Sequence, residues 1–340
     1  MTTTRTLTLA LALAALGCQA APEQHADDRM EAFLDAEAMS GLLDAHHSTE
    51  PREAPEPFVR LGLLWESAAS AAPEVRMRAE GEWSPWAPAT VVFSEGESHA
   101  GHLDAPDGLA THYQVRFPGG APLSVAFDPI VELPDLAGEA PVEGYDPDEG
   151  DAVAPAAADG DVGARSDALS LSGFRIEGRR AWGARAPRCR SRNARPTRAT
   201  FHHTVTPTRD SVSPQRRLRL IQAYHMDSRG WCDIGYNYLI SRDGRVWRGR
   251  GAAWLGAHVS NHNSGNVGVA FMGTHTRDRA TLRQRRQAAR TLVRLRRRGF
   301  PISLTRRDVK GHRDYGATSC PGDALYGQIG DILRRARSAG

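Results

Sequence analysis

Two side chains that can ligate zinc, His312 and Cys320, lie eight positions apart in a segment too rich in glycine and proline for a helix. Imidazole nitrogen and thiolate sulfur are ligand types that zinc prefers, and a catalytic zinc needs three protein ligands and one open position. The third ligand must come from elsewhere, and the best candidate is the His202-His203 pair, about a hundred residues earlier. The residue types therefore predict a metal centre.

A further segment, Gly230-Trp231-Cys232-Asp233-Ile234-Gly235-Tyr236, belongs with the first two. The three segments, in this order, resemble the peptidoglycan recognition protein family. That family includes zinc amidases that cut between muramic acid and L-alanine, and phage lysozyme-type amidases. The resemblance covers residues 173–340, and it implies hydrolysis of the amide bond between N-acetylmuramic acid and L-alanine in peptidoglycan.

The resemblance implies His202, His312 and Cys320 as the zinc ligands, with His203 on the other face of its strand. It implies Tyr236 as a catalytic residue that helps zinc to stabilise the oxyanion, and Thr318 as a hydrogen-bonding group for substrate or water. Family members that bind peptidoglycan without cutting it typically lack the cysteine. Cys320 therefore favours an enzyme, and a non-catalytic peptidoglycan receptor is the alternative.

Substrate preference is also implied by the resemblance. Gly230-Trp231 accompanies meso-diaminopimelate stems in recognition proteins, and Arg250 matches an arginine that contacts the diaminopimelate carboxylate. The assignment is physically reasonable because a guanidinium can grip a carboxylate through two hydrogen bonds. The alternative is that Arg250 is one solvated arginine among many. His258 matches a residue of the family's binding groove.

The beginning of the chain predicts export. Residues 1–17 carry one arginine and an apolar run, which is typical of a signal peptide and too short to span a membrane. Cys18 follows a small residue, as in a bacterial lipobox. The usual pattern has leucine three positions before the cysteine, whereas this chain has Ala15 there and Leu16 next. We expect residues 1–18 to direct the chain to the cell envelope, with a lipid anchor on Cys18; the alternative is cleavage near Ala20 and secretion.

Export bears on the remaining cysteines, because two free thiols are uncommon in an exported protein. We therefore predict a disulfide between Cys189 and Cys232. The alternative is a pair of buried reduced thiols.

Composition divides the rest of the chain. Residues 19–56 are polar and predict a tether, residues 57–134 contain short alternating segments that predict a small all-β sandwich, and residues 135–172 predict an acidic flexible linker. Trp83 and Trp86 form an aromatic turn in the β-rich part. The turn has two interpretations, packing or stacking on a sugar.

Residues 173–340 predict an α/β domain, because strands and helices alternate. A strand carries His202, Ser213 caps a helix that runs to about Ser228, and Asp243-Gly244 predicts a hairpin turn. Residues 267–272 predict a buried strand, and residues 281–298 and 323–337 predict helices. We expect a mixed central sheet with helices on its faces.

Charge is distributed unequally. Residues 173–340 contain 35 Lys and Arg against 10 Asp and Glu, whereas residues 1–172 contain 8 against 30. A basic half predicts an anionic partner. Nucleic acid is disfavoured because no nucleic-acid motif is present, and an exported chain favours peptidoglycan. A rival hypothesis is an anionic-polymer-binding protein that uses the arginine-rich helix at residues 281–298 and needs no zinc.

Overall fold

The computed structural model describes residues 42–106, 108–133, 171–188, 191–209 and 212–338. The predicted signal peptide, the lipidation site Cys18 and nearly all of the predicted linker lie outside these residues. Among the described residues, no helix is both long enough and apolar enough to cross a membrane.

An antiparallel β-sandwich forms the N-terminal part of the described chain, as its alternating segments predict. One sheet has the order β1-β8-β3-β4, with β5 beside β3, and the other has the order β6-β7-β2-β9. Apolar side chains of both sheets, among them Phe58, Trp65 and Tyr113, fill the space between them. The strands are β1 (Arg52–Phe58), β2 (Arg60–Glu66), β3 (Glu74–Ala79), β4 (Glu82–Trp83), β5 (Ala87–Pro88), β6 (Thr90–Glu95), β7 (Ser98–Asp104), β8 (Ala110–Arg116) and β9 (Ser124–Ile130).

The sandwich begins earlier than predicted, so the tether expected at residues 19–56 is too long at its C-terminal end. Residues 52–56 belong to β1, and Ser48 already forms a bridge with Arg116. Pro55 lies within the stretch that its polar composition led us to interpret as a tether, and Pro57 follows directly after it. Both are exposed on an edge strand, where a missing backbone donor is tolerated.

The aromatic turn packs against arginines of its own sheet. The guanidinium of Arg76 lies 4.9 Å from the ring centres of both Trp83 and Trp86, and that of Arg116 lies 4.5 Å from Trp86. Such contacts contribute about 0.5–1 kcal/mol each at exposed sites. Because guanidinium groups cover the indole faces, the structure favours the packing interpretation over a sugar-binding one.

A mixed six-stranded sheet organises the C-terminal part, in the order β10-β13-β12-β14-β11-β15. The β12–β13 pair is the hairpin predicted at Asp243-Gly244, and Gly244 has a φ of 91° there. The other neighbours in the sheet pair in parallel. The strands are β10 (Ile176–Glu177), β11 (Arg198–His203), β12 (Tyr238–Ile240), β13 (Val246–Arg248), β14 (Asn266–Phe271) and β15 (Val309–Gly311).

Helices cover both faces of this sheet, which confirms the α/β class. The helices α2 and α4 pack on one face through Leu292 and Ile332, and α1 packs on the other through Leu218. The caps agree with the sequence, since Ser213 accepts a hydrogen bond from Arg216 N and Thr281 begins a capping box. The helices are α1 (Pro214–Ala223), α2 (Leu282–Arg297), α3 (Asp323–Tyr326) and α4 (Ile329–Arg337).

The predicted extent of the helix after Ser213 is confirmed, since its α-helical part ends at Ala223 and a π-helical turn, Tyr224–Ser228, continues it. The prediction for residues 323–337 needs correction. The final helix is divided between α3 and α4. The division places Gln328 so that its side-chain amide exchanges two hydrogen bonds with the backbone of Ala280, at 2.9 and 3.3 Å. These bonds satisfy buried groups that a continuous helix would leave turned away.

The sandwich packs directly on the C-terminal part. On β2, Leu61, Leu63 and Trp65 point into the sandwich, whereas Leu64 points out and joins a cluster with Leu218 and Tyr224. Strand β9 is likewise buried along its full length. A strand that is covered on both faces has a near-continuous apolar sequence, and the sequence of β2 has that character.

A buried ion pair holds the segment before Tyr236. Arg179 donates to both carboxylate oxygens of Asp233, at 2.8 and 3.0 Å, and both side chains are at least 95 % buried. Gln222 also donates to Asp233 Oδ1, at 2.7 Å. The pair therefore joins the Arg179–Trp182 turn, α1 and the loop that leads to Tyr236.

Replacing Arg179 with methionine should lower the free energy of unfolding by about 3–5 kcal/mol, because the carboxylate of Asp233 would stay buried without its cation. Urea denaturation followed by tryptophan fluorescence measures this change. Arg307→Met is the matched control, since Arg307 pairs with Asp308 at the surface and its side chain is 80 % exposed. Equal denaturation midpoints for the two variants would contradict the structural role given to Arg179.

Candidate metal centre and cleft

Parallel strands bring the predicted ligands together. In the β11–β15 pair Phe201 lies opposite Gly311, so the next residues, His202 and His312, come side by side at the strand ends. The chain then turns back, and Arg313 N donates to the carbonyl oxygen of Cys320 at 2.9 Å. Ligands separated by more than a hundred residues thus meet at one edge of the sheet.

The three side chains form a compact donor set. One donor atom from each of His202, His312 and Cys320 lies within 4.8 Å of the others, and all three residues are buried. The sulfur of Cys320 is 3.6 Å from His202 Nδ1. Two imidazoles and one thiol on one side of a cleft fit a zinc ion that keeps an open position.

His258 supports this donor set from behind. Its Nδ1 lies 3.1 Å from His202 Nε2, which leaves Nδ1 of His202 on the side of Cys320. A partner on the second ring nitrogen fixes the tautomer and orientation of a ligating histidine. Glycine is required beside it, because a Cβ on Gly268 would lie 2.6 Å from the His258 ring. His258 is fully buried beside His202, and the groove role that the resemblance implies for it stays a prediction.

Burial sets the protonation of His202. Loss of solvent lowers its pKa well below the usual 6.5, and the neighbouring His312, His258 and His203 lower it further. The imidazole is therefore neutral near pH 7. The neutral form is the one that binds a metal.

A small cleft of about 30 Å³ opens beside these ligands. Tyr236 lies on its wall, with its ring centre 5.4 Å from that of His202. Thr318 lies near Cys320, and its Oγ1 accepts a hydrogen bond from Cys320 N at 3.2 Å. The cleft is lined by Leu64, His203, Thr204, Val205, Ile221, Tyr224, His225, Arg229, Tyr236, Thr318, Ser319 and Cys320.

The Gly230-Trp231 pair forms part of the frame of the cleft. Gly230 has a φ of 70°, a conformation that glycine adopts readily, and ends the π-helical turn. Trp231 is only 3 % exposed and stacks on His225, with ring centres 4.6 Å apart. His225 lines the cleft, so Trp231 contacts a lining residue without being one itself.

The side chain of Arg250 forms hydrogen bonds with the protein backbone. Its guanidinium donates to the carbonyl oxygens of Ile234, Leu255 and Asp233, at 2.8, 2.7 and 3.3 Å. Burial lowers its pKa to about 10, with Asp233 opposing and Arg179 adding to the shift. The side chain therefore joins the loop before Tyr236 to the loop before His258, a role that the sequence did not suggest.

Cys232 is disulfide-bonded, and its predicted partner Cys189 lies outside the described residues. The pairing therefore stays a prediction. Arg188, next to that position, donates through its backbone N to the carbonyl oxygen of Cys232 at 2.8 Å.

Several cleft residues were not predicted. His203, expected on the other face, is the last residue of β11 and reaches the cleft, where its Nδ1 accepts from His275 N at 3.1 Å. His225 and Arg229 flank the recognised motif, so their position near Gly230 was a usable signal. Leu64 lies in the sandwich, and no motif marks it.

Comparisons with known proteins agree with this arrangement. The family model described as N-acetylmuramoyl-L-alanine amidase matches residues 192–323. Peptidoglycan-recognition protein SC2 of Drosophila melanogaster is 37 % identical over 166 residues, which cover 48 % of this chain and 88 % of that protein. The chain belongs to the peptidoglycan recognition protein family.

Other relatives give the extent of the likeness. Peptidoglycan recognition protein 1 of Bos taurus is 39 % identical over 44 % of this chain and 80 % of its own length. The human N-acetylmuramoyl-L-alanine amidase is 39 % identical, but over only 23 % of its own length and 39 % of this chain. The solved structure of Drosophila PGRP-LB is 29 % identical, covers 46 % of this chain and 92 % of its own, and has a TM-score of 0.43.

Replacing His258 with phenylalanine should weaken zinc binding about 10- to 100-fold, because His202 would lose the partner of its Nε2. Competition with a fluorescent chelator measures the dissociation constant. His112→Phe, in β8 of the sandwich, is the control and should leave zinc affinity unchanged. If the His258 variant bound zinc with the same affinity as the wild type, the role of His258 in orienting His202 would be rejected.

Proposed function

We propose that this protein is a zinc-dependent N-acetylmuramoyl-L-alanine amidase. The observation that carries the proposal is the buried set of His202, His312 and Cys320 on a cleft that also contains Tyr236. A receptor that only binds peptidoglycan needs neither three converging donor atoms nor an open position among them. The family contains recognition proteins as well as amidases, and the donor set supports the amidase class.

The residues of the cleft have separate tasks. A zinc ion held by His202, His312 and Cys320 would supply a Lewis acid and a water molecule of lowered pKa. Tyr236, whose phenol is a hydrogen-bond donor on the cleft wall, stabilises the charge that develops on the lactyl amide oxygen. Thr318 accepts from Cys320 N, so its own hydroxyl proton is available to the substrate.

Activity and metal can be tested together. Diaminopimelate-type peptidoglycan is incubated with the protein, and mass spectrometry detects stem peptides with a new L-alanine amino terminus. We expect release by the wild type, loss in a chelator with recovery on adding zinc, and loss in Cys320→Ser. Binding without release, in zinc-loaded wild type, would reject the amidase and favour the receptor.

The proposed stem type is meso-diaminopimelate, which rests on Gly230-Trp231 and Arg250 as the residues that the family resemblance assigns. A hydrogen bond to a charged group contributes about 1.5–3 kcal/mol. Stems that end in meso-diaminopimelate should therefore react about 10- to 100-fold better than lysine stems, measured as kcat/KM. Equal kcat/KM for both stems would contradict this preference.

Arg250→Met separates recognition from bracing. If Arg250 contacts the diaminopimelate carboxylate, the variant loses its preference between the two stems. If Arg250 only joins the two loops, both stems react more slowly by the same factor, and the recognition role is rejected.

We further propose that the protein acts outside the cytoplasm, attached to the envelope through Cys18 or secreted. The apolar run after Arg5 and the disulfide bond of Cys232 support this location. Labelling with a radioactive fatty acid in a bacterial host distinguishes the two forms, since Cys18→Ala should abolish incorporation only if the anchor exists.

A further inference from the structure

One wall of the cleft is formed by a residue that lies outside the part of the chain matched by the family model. Leu64 lies on β2 of the sandwich, and it lines the same cleft as Tyr236 and Cys320. The family model matches residues 192–323, so this wall lies outside that match. Leu64 shares an apolar cluster with Ile221 of α1, which also lines the cleft.

Asp128, on β9 of the sandwich, holds two further cleft residues. Its Oδ1 accepts from Arg229 Nη2 at 2.7 Å, and its Oδ2 accepts from the hydroxyl of Tyr224. The side chains of Asp128 and Arg229 are 2 % and 4 % exposed. A charge-assisted bond at such burial fixes direction as well as distance. One sandwich carboxylate thus determines where a guanidinium and a phenol of the cleft point.

Other contacts prevent the sandwich from shifting. Glu66 pairs with the fully buried Arg217, Glu95 accepts from Arg219 at 2.7 Å, and Arg60 donates to the carbonyl oxygen of Ser228 at 2.8 Å. These pairs lie on α1 and the π-helical turn. In the two ion pairs the acidic side chain comes from the sandwich and the basic one from α1, which matches the opposite charges of the two halves.

We propose that the β-sandwich is a specificity-determining wall of the cleft, with Asp128 as a positioning residue that acts through Arg229 and Tyr224. Leu64 forms the apolar part of this wall. The inference rests on the amidase function proposed above. Neither Asp128 nor Arg229 belongs to the donor set or to the pair formed by Tyr236 and Thr318. Their loss therefore weakens substrate binding more than the chemical step.

The test compares Asp128→Asn with Glu95→Gln in full-length, zinc-loaded protein, on synthetic N-acetylmuramoyl-L-alanyl-D-isoglutamyl-meso-diaminopimelate. Both variants remove an acidic partner at the same interface, but the partners of Glu95, Arg216 and Arg219, do not line the cleft, whereas those of Asp128 do. We expect Asp128→Asn to raise KM about tenfold with kcat within about twofold, and Glu95→Gln to leave both unchanged. Asp128→Glu keeps the carboxylate and should recover part of the KM.

A double-mutant cycle checks the route of the effect. If Asp128 acts through Arg229, then Arg229→Gln should raise KM in the wild type and add little in the Asp128→Asn background. Full additivity would overturn the positioning role. An equal rise in KM for Glu95→Gln would show that the interface is only structural, and would overturn the proposal as well.

Calorimetric binding of the same muramyl peptide to zinc-loaded protein separates this inference from the proposed function. Suppose that the wild type does not hydrolyse the peptide, that Asp128→Asn weakens binding and that Glu95→Gln does not. The amidase function is then rejected, and the role of the sandwich as a wall of the cleft is supported. If hydrolysis is normal and Asp128→Asn changes neither KM nor affinity, the specificity role of the sandwich is rejected and the amidase function is retained. Thermal melting of each variant identifies one that does not fold, and Leu64→Phe, which narrows the cleft from the same wall, then provides the second measurement.

Discussion

Burying three donor groups within 4.8 Å of one another is the constraint on which this structure depends. A buried imidazole such as that of His202 resists protonation, because the added positive charge would lie in a medium of low polarity beside other imidazoles. The lowered pKa of His202 expresses this constraint. The surroundings must then hold the rings without charging them, and the contact between His258 and His202 meets that need.

The loops near the cleft depend on arginines in a structural capacity. Arg179 closes a buried pair with Asp233, and Arg250 hydrogen-bonds to backbone carbonyls on two loops. Loops carry backbone groups that strands would otherwise satisfy, and a guanidinium with five donors in a fixed plane can satisfy several at once. The excess of arginine in residues 173–340 is therefore partly a feature of packing, in addition to any attraction for an anionic polymer.

Local chemistry explains which features the sequence could predict. Ser213 and Thr281 mark helix starts because their side chains bond to the next turn, and Asp243-Gly244 marks a hairpin because glycine adopts a positive φ. The candidate ligands His202, His312 and Cys320 are recognisable because their chemistry is rare and their order fits a family. The polar composition of residues 52–56 misled because an exposed edge strand tolerates polar residues and proline.

Contacts between distant segments account for what was missed. Nothing around Asp128 indicates that its carboxylate meets Arg229 a hundred residues later, and the role of Arg250 depends on three carbonyl groups whose positions only the fold defines. The near-continuous apolar character of β2 was a signal that both of its faces are covered. This apolar character could not reveal which part of the protein covers the outer face of β2.

The two covered faces of β2 and β9 also bear on how such a protein can evolve. A domain with a polar outer surface can be exchanged between chains as an independent module. Here the outer face of one sandwich sheet supplies Leu64, Ala100 and Ala126 to the core of its neighbour. A substitution on either side must suit the other, so the two parts are expected to be inherited together and to diverge as one unit.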